Sequence, residues 1–593
     1  MTAITRVFDL LTYTQEKFQK EDILVGKHAG KWTKYNTNQF LQLVDETSRG
    51  LLAAGIKKDD KVAIMSPNRP EWTICDFGII QIGAVQVPMY PTLAEDDIRF
   101  ILKDAGIKII FVNSRPLFDK LSHILSDIHQ ELKILLFDEI PGLPHWSEIL
   151  ELGRKNSDID LQKYRNQVTP DDLLTLIYTS GTTGTPKGVM LTHHNLVSNV
   201  LSSSAFYPEH FSKALSFLPL SHIFERMVIY LYLYRGTSIY YAENIDTIVV
   251  DMNEVKPHGF TTVPRLLEKV YDRIVAKGQE LTGIKRHLFF WALRLGLKYE
   301  LNGKNGWWYE FQLWIANKLI FSKWREALGN HIMVIVSGGA ALQPRLARVF
   351  WAAKIPVLEG YGLTETSPVI SVNGLKEGEA KFTTVGKPIG GVQVKIAQDG
   401  EVLCKGPNIM KGYYNHPDLT AETIDADGFF HTGDIGELVD GIYLRITDRK
   451  KEIFKTAGGK YVAPQALENK FKESIFIEHV MVFGENRKFP AAFIVPAFDV
   501  LKSWCAEKGI PYTTPAEIVK NPAVIEKYQR EIDRYNAKFG QWERVKKFEL
   551  LSTEWSIDGG ELTPKLSLKR KVILQKNENL VDKIYLDTAY AKI

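Results

Sequence analysis

Residues 173–177 read L-L-T-L-I and residues 178–189 read Y-T-S-G-T-T-G-T-P-K-G-V. The first run has the length and composition of a buried strand. The second constrains the chain more than any other stretch. Gly181, Gly184 and Gly188 interleave with Thr179, Ser180, Thr182, Thr183 and Thr185. Glycines let the backbone approach a ligand closely and take positive φ. Successive backbone N–H groups and hydroxyls make a cradle for an anion, and Lys187 adds a point charge suited to phosphate. A Walker loop would end in Gly-Lys-Ser/Thr. Here Lys187 stands between Pro186 and Gly188, so the motif is a different one. Because Gly/Thr clusters also occur as plain surface loops, independent segments must carry the functional reading.

A chain of 593 residues is expected to form more than one domain. Asn36 or Thr37 caps a helix with Phe40, Leu43, Val44, Leu51 and Leu52 on its apolar face and Gly55 at its end. Strands are predicted at 61–65, 85–88, 108–112 and 133–137, with helices at 71–84 and 95–105. Such alternation implies a parallel sheet with both faces covered. The Gly/Thr run then comes after a strand, where ligands bind in these folds. A helix is predicted at 190–204, a strand ending in a polar turn at 216–222, a helix opening at Pro264, and strands at 331–336 and 355–358. From about residue 386 short alternating runs indicate a β-rich subdomain. The stretch 448–452 (D-R-K-K-E) reads as a charged linker, after which strands (480–483, 491–495) and helices resume. The expected class is α/β, with a large domain of layered α/β sheets over 1–447 and a small α+β domain over 453–593.

The net charge of +4 is nearly balanced for this length and gives no support to a nucleic-acid partner. Cys75, Cys404 and Cys505 are scattered, with the spacing of neither a disulfide framework nor a zinc site. Residues 1–19 lack the apolar core of a signal peptide, and no run approaches the ~20 apolar residues of a membrane span. A cytoplasmic protein is expected. Residues 270–330 stand apart: Trp291, Trp307, Trp308, Trp314 and Trp324 lie among Lys285, Arg286, Arg294, Lys298, Lys318, Lys323 and Arg325. Two readings are open. The aromatics of a helical insertion pack on the main core, or they form a basic, aromatic surface that leans on a membrane.

Two further motifs lie downstream. In Gly360-Tyr361-Gly362-Leu363-Thr364-Glu365-Thr366 the glycine-flanked Tyr361 can lie on an adenine. Thr364 and Glu365 can face phosphates, and Glu365 can hold a hard cation such as Mg²⁺ through oxygen. In His431-Thr432-Gly433-Asp434 the aspartate is either a turn former or an acceptor for two ribose hydroxyls.

Together with 178–189, these segments closely resemble the adenylate-forming superfamily of acyl-CoA synthetases, adenylation domains and luciferases. The resemblance covers nearly the whole chain from Tyr35 onward. It implies that Thr179, Ser180, Gly181, Thr182, Thr183, Gly184, Thr185 and Lys187 cradle the phosphates of ATP, and that Thr179 and Glu365 hold Mg²⁺. Tyr361, Glu359, Gly360, Gly362 and Thr364 would form one side of the nucleotide site, with Gly338, Gly339 and Ala340 as the other wall of the adenine pocket. Asp434 would bind ribose with Arg449. His222 would border the acyl pocket, with Arg265 also on the substrate side. The run 448–452 becomes a hinge pivoting near Lys451, the small domain a mobile lid, and Gly458 and Gly459 the approach for the thiol arm of coenzyme A.

The aromatic insertion and the run E-L-T-P at 561–564 point to the long-chain branch. The implied activity is a long-chain fatty acid–CoA ligase, converting ATP, fatty acid and CoA to acyl-CoA, AMP and pyrophosphate through an acyl-adenylate. One departure stands out. Residues 563–570 read T-P-K-L-S-L-K-R, so Ser567 occupies the place where long-chain members carry a lysine. Lys565 is the first candidate to replace it and Lys569 the second, since both share a face with Ser567 in an extended segment. A ligase that loads a carrier protein, and a non-catalytic acyl- and ATP-binding homologue, are the alternatives.

Overall fold

The computed structural model describes residues 4–128, 132–180, 186–244, 247–557, 559–563 and 567–586. Local signals set its elements. Asn36 and Gln39 close a reciprocal capping box at the start of the helix Thr37–Ala53. Gly106 takes the left-handed conformation that ends the helix Glu95–Ala105. Strands such as Lys61–Met65 and Val85–Pro88 are apolar and almost wholly buried, as a sheet covered on both faces requires.

Among the described residues one sheet has seven strands, in the order Gly412–Tyr413, Pro186–Thr192, Leu173–Ser180, Val85–Pro88, Lys61–Met65, Ile107–Val112 and Lys133–Leu136. A nine-stranded sheet includes Lys213–Ser216, Gly259–Thr262, Val334–Ser337 and Val357–Gly362. A four-stranded antiparallel sheet holds Gln393–Ile396, Glu401–Lys405, Phe430–Val439 and Tyr443–Arg449. Beyond residue 453, the three-stranded sheet Ile477–Phe483, Ala491–Pro496 and Lys547–Leu550 has its own apolar core around Phe471, Val480, Ile494 and Tyr528. This is the layered α/β arrangement with a β-rich part and a small α+β part that the sequence implied.

Four local expectations are corrected. The helix predicted at 190–204 begins only at His193, because Thr192 and Asn195 form a capping box there. Residues 186–192 instead turn back as a strand antiparallel to Leu173–Ser180. Tyr361 lies inside the strand Val357–Gly362 rather than after it. Asp434 likewise sits in the strand Phe430–Val439, not in a turn. Asp448 and Arg449 end the strand Tyr443–Arg449, so the first two residues of the run are strand rather than linker, with Arg449 exposed. Asp448 is fully buried and its carboxylate accepts from the backbone N–H of Arg449 at 2.7 Å and of Gln465 at 3.1 Å.

Behind the seven-stranded sheet lies a buried ion pair. Arg226 on the helix Ile223–Tyr234 meets Asp76 on the helix Pro70–Ile80, with Nη2 2.5 Å from Oδ1 and Nε 3.0 Å from Oδ2. Arg226 Nη1 donates to Thr175 Oγ1 at 2.8 Å, and the Tyr230 hydroxyl donates to Asp76 Oδ2 at 2.6 Å. Both charged side chains are 1% exposed. Apart from Glu225 and Arg226 the helix Ile223–Tyr234 is apolar or aromatic, and these polar groups fix its rotation within the core.

The 270–330 segment divides. Trp324 is buried against Phe321 and Phe350, and Trp291 packs half-buried on the same core. Trp307, Trp308 and Trp314 face outward on the helix Trp307–Ala316. Among the described residues no helix is long and apolar enough to cross a membrane.

Removing one member of a buried pair leaves an uncompensated charge, which costs about 3–5 kcal/mol. Arg226→Met is therefore expected to lower the thermal unfolding midpoint of the large domain markedly, and the double change Arg226→Met with Asp76→Leu to restore much of the loss. Calorimetry on the three proteins checks this.

Candidate active site

One short stretch organises the site. The strand Val357–Gly362 runs into a single helical turn at Thr364–Thr366, which places Tyr361 and Glu365 four residues apart on one rigid segment. Gly362 is required there: a Cβ on it would lie 1.8 Å from the carbonyl oxygen of Pro368. Each residue meets a different partner.

At one end, the Tyr361 hydroxyl donates to Asp434 Oδ2 at 2.7 Å, and Arg449 Nε lies 3.4 Å from Asp434 Oδ1. Asp434 and Arg449 are paired in register on neighbouring strands. Asp434 is 4% exposed, and burial pushes its carboxyl above the usual carboxylate range while Arg449 opposes the shift. Glu401 accepts from the backbone N–H of Gly433 at 2.9 Å and pairs with Lys450 at 2.8 Å, which steadies the loop next to Asp434.

At the other end, Glu365 Oε1 accepts from the Tyr413 hydroxyl at 2.9 Å, and the Glu365 carbonyl accepts from the Met410 N–H at 2.8 Å. The strand Gly412–Tyr413 pairs antiparallel with Met190 and Val189. Lys187 Nζ is thereby held 5.4 Å from the Tyr413 ring centroid. Thr179 faces Lys187 across the hairpin, and Ser180 ends the strand Leu173–Ser180. Gly181, Thr182, Thr183, Gly184 and Thr185 lie outside the described residues. Tyr413 was not singled out in the sequence as a site residue. The run Gly412-Tyr413-Tyr414 was its only signal there, because a tyrosine's partner across the chain has no local signature.

The donor chemistry fits Mg²⁺ bound with substrate phosphates. That ion takes one or two carboxylates plus phosphate and water oxygens rather than an all-protein cage. Glu365 keeps one carboxylate oxygen clear of its Tyr413 bond, and Thr179 carries a hydroxyl at the end of the strand Leu173–Ser180, paired with Lys187.

The remaining predicted residues fall in three groups. Gly338, Gly339 and Ala340 come directly after the strand Val334–Ser337, and a Cβ on Gly338 would lie 3.2 Å from the Phe224 ring and 3.7 Å from the carbonyl of Gly360. Glu359 is buried, and burial pushes its carboxyl up to about 8. Burial thus favours its neutral form. Thr364 is buried in the turn.

His222 caps the helix Ile223–Tyr234, its Nδ1 accepting from the Phe224 N–H at 3.1 Å. The turn before it is pinned by Asn68, which bonds Ser216, Leu218 and Leu220. Behind it Glu225 is buried between Ser216 and Thr261, and burial raises its carboxyl to about 7. Arg265 is engaged elsewhere: it pairs with Glu268 at 3.1 Å and with Glu478 of the small domain. It ties the two parts of the molecule.

Gly458 and Gly459 form an exposed turn between Phe454–Lys455 and Tyr461–Val462, and hydrogen bonds run from Asn486 to Lys455 and from Ala457 to Arg487 within the small domain. Lys451 is exposed in the turn after Arg449. Lys565 lies outside the described residues. Lys569 is exposed at the start of the helix Arg570–Lys576, close enough to Asp97 for its charge to favour that carboxylate. Asp97 shares the helix Glu95–Ala105 with Asp104, which accepts from the Tyr178 hydroxyl at 2.6 Å. Lys569 therefore faces the helix that braces the strand Leu173–Ser180. Ser567 donates its N–H to Thr563 Oγ1 at 3.1 Å.

Two family models match the chain: AMP-binding enzyme over residues 12–414, and AMP-binding enzyme C-terminal domain over residues 452–589. The chain is 31% identical to the long-chain-fatty-acid–CoA ligase FadD15 of Mycobacterium bovis, over 94% of this chain and 93% of that protein. It is 35% identical to the peroxisomal long chain acyl-CoA synthetase 6 of Arabidopsis thaliana, over 88% of this chain and 77% of that protein. Among solved structures, the adenylation domain of a carboxylate reductase from Mycobacterium chelonae superposes with a TM-score of 0.76 at 20% identity, covering 98% of this chain and 91% of that one. A fatty acyl CoA synthetase from Mycobacterium tuberculosis superposes with a TM-score of 0.61 at 20% identity, covering 97% of this chain and 99% of that one. The strand and turn that carry Tyr361 and Glu365, with Lys187 and Tyr413, fall within the first of these matches, and the chain belongs to the AMP-binding enzyme family.

Proposed function

We propose that this chain is an AMP-forming long-chain fatty acid–CoA ligase that uses ATP, Mg²⁺ and coenzyme A. One observation carries the reading. A single segment, 357–366, sets a ribose-type acceptor pair (Tyr361 with Asp434) at one end and a cation-type carboxylate (Glu365 with Tyr413) beside Lys187 at the other. That is the polarity of a bound nucleoside triphosphate. The long-chain substrate class rests on the relatives' activities.

In the first half-reaction a fatty carboxylate oxygen attacks the α-phosphorus of ATP and pyrophosphate leaves with the electrons of the broken P–O bond. In the second the CoA thiol, losing its proton, attacks the acyl carbonyl and AMP leaves. The protein supplies position and charge more than covalent chemistry. Lys187 and the loop 179–185 hold the β- and γ-phosphates, Tyr361 and the 338–340 wall hold adenine, and Asp434 with Arg449 orients the ribose. Mg²⁺, when bound by Glu365 and Thr179, neutralises charge on the phosphates. Tyr413 fixes the Glu365 rotamer and steadies Lys187 through its ring. His222 borders the acyl carboxylate, and Lys565 or Lys569 approaches the α-phosphate. The segment 448–452 is the pivot between domains, with Gly458 and Gly459 turning toward the site for thiolysis.

Cys75, Cys404 and Cys505 are free and buried, which fits a reducing, cytoplasmic setting. The protein also meets a lipid surface without spanning it, where its substrate partitions.

The primary test is pyrophosphate release across a chain-length series of fatty acids, with and without CoA. Release that requires a long-chain acid, coupled to thioester formation, is expected; ATP binding with no release for any acid would overturn the ligase reading in favour of a binding homologue. Tyr413→Phe keeps the ring and deletes one charge-assisted hydrogen bond worth about 1.5 kcal/mol. It should raise the Mg²⁺ half-saturation of adenylate formation by about tenfold. An unchanged Mg²⁺ profile takes Tyr413 out of that role. Lys565→Ala should suppress pyrophosphate release more than Lys569→Ala while both spare thiolysis of pre-formed acyl-adenylate. The reverse order would assign the chemistry to Lys569.

A further inference from the structure

The helix Trp307–Ala316 carries an outward ridge that the adenylation chemistry does not use. Trp307 is 79% exposed, Trp308 58%, Phe311 48% and Trp314 60%. Positions 307, 311 and 314 have helical i, i+4, i+7 spacing, so the rings share one face. They also touch one another. Trp308 stacks on Phe311 with centroids 5.7 Å apart, Phe311 on Trp314 at 6.4 Å, and Trp307 meets Trp308 edge-on at 5.7 Å. The opposite face is anchored: Leu313 and Ala316 are buried in the core, and the Tyr309 hydroxyl donates to the carbonyl of Leu295 at 2.6 Å. The ridge is therefore preformed on a rigid support. Just past it Leu319 is 49% exposed, and at the start of the helix Gly283–Leu297 Ile284 is 78% exposed.

Charge surrounds the ridge. Lys304 and Lys318 are exposed at its two ends, with Lys318 Nζ 5.7 Å from the Trp314 ring centroid, and Lys285 and Arg286 are exposed beside Ile284. Residues 270–330 hold ten Lys and Arg against five Asp and Glu, so this segment alone exceeds the net +4 of the whole chain. Two kinds of partner suit exposed aromatics. A second copy of the chain would bring the same cationic surface against itself. An anionic lipid surface offers opposite charge, and it matches indole rings, whose apolar body and N–H prefer the boundary between acyl chains and headgroups.

We infer that the Trp307–Ala316 helix is a docking ridge for anionic lipid, which lies flat in the interface with its four aromatic rings among the acyl chains and the flanking lysines on the headgroups. This deepens the lipid-surface reading above by naming the face that does the contact and the charge of the lipid it selects.

The test uses the full chain with vesicles of phosphatidylcholine alone or mixed with phosphatidylglycerol. Wild type should pellet with the mixed vesicles and release as salt rises. Trp307→Ser, Trp308→Ser, Phe311→Ser and Trp314→Ser combined should weaken partitioning by at least about tenfold, and Lys304→Glu with Lys318→Glu should weaken binding to the mixed vesicles alone. Brominated acyl chains should quench the tryptophan fluorescence of wild type more than that of the serine variant. Pyrophosphate release on a soluble short-chain acid, if the enzyme turns one over, or the thermal midpoint otherwise, should match between variants and wild type, since all the changed side chains are exposed. Vesicle binding that survives the serine substitutions overturns the inference. So does a wild-type dimer that the same substitutions convert to monomer without any vesicle binding, which would assign the ridge to a second copy. Loss of pyrophosphate release with intact vesicle binding would strike the ligase reading and leave the ridge standing.

Discussion

The strand Gly412–Tyr413 is two residues long, yet its pairing with Met190 and Val189 fixes where three distant pieces of chain meet. Without it the hairpin that carries Thr179 and Lys187 would have no register relative to the turn at Thr364–Thr366. The pairing also brings the Tyr413 hydroxyl to Glu365, and a neighbouring backbone bond from Met410 locks the same glutamate's main chain. Asn195, two residues into the next helix, adds bonds to the carbonyls of Pro407 and Ile409 at 2.8 and 2.9 Å. A parallel sheet is thus extended on one edge by two strands in antiparallel pairing, and under the proposed function that edge is where the phosphates are held. Ligand sites in open α/β sheets form where strand direction or order changes.

Polar groups behind the site are placed to hold apolar elements in register. The Arg226–Asp76 pair fixes the rotation of a helix whose sides are otherwise alike, and Glu225 and Glu359 sit buried where desolvation favours their neutral forms. Charged groups at the domain boundary act differently. Arg265 with Glu478, and Lys472 with Glu268, face one another from separate domains. Arg265 and Glu268 are largely buried at this boundary, so each needs its partner as long as the two parts stay in this contact.

Much of the large domain was legible in the sequence because its signals are local. Strand runs of pure apolar composition, the Asn36 cap and the Gly106 stop each act within a few residues. The failures share a cause. Residues 186–192 and Tyr361 were misplaced because strand pairing is decided by a distant partner, and Asp448 read as solvated because a charged run gives no hint of Gln465 accommodating one member inside. Motif segments were visible by residue order, but their mutual geometry was not. Neither Tyr413 reaching Glu365 nor Arg265 turning to Glu478 leaves a trace in either residue's own neighbourhood. The aromatic insertion shows the same limit: Trp324 and Trp314 are ten positions apart in composition-matched sequence, and only packing tells that one is core and the other surface.

Arg570 stands directly after Lys569, and its guanidinium is nearly enclosed. It bonds Glu452 at 2.9 Å, Glu468 at 2.6 Å and the carbonyl of Val482 at 3.1 Å. Glu452 belongs to the turn next to Lys451, so the segment that carries Lys569 is bolted to the turn that follows the strand Tyr443–Arg449. Under the proposed function, with that turn as pivot, the arrangement would work as a crank. Rotation there would reach Lys569 as rigid displacement through the Arg570 contacts, so that the position of its charge would be set by the domain as a whole.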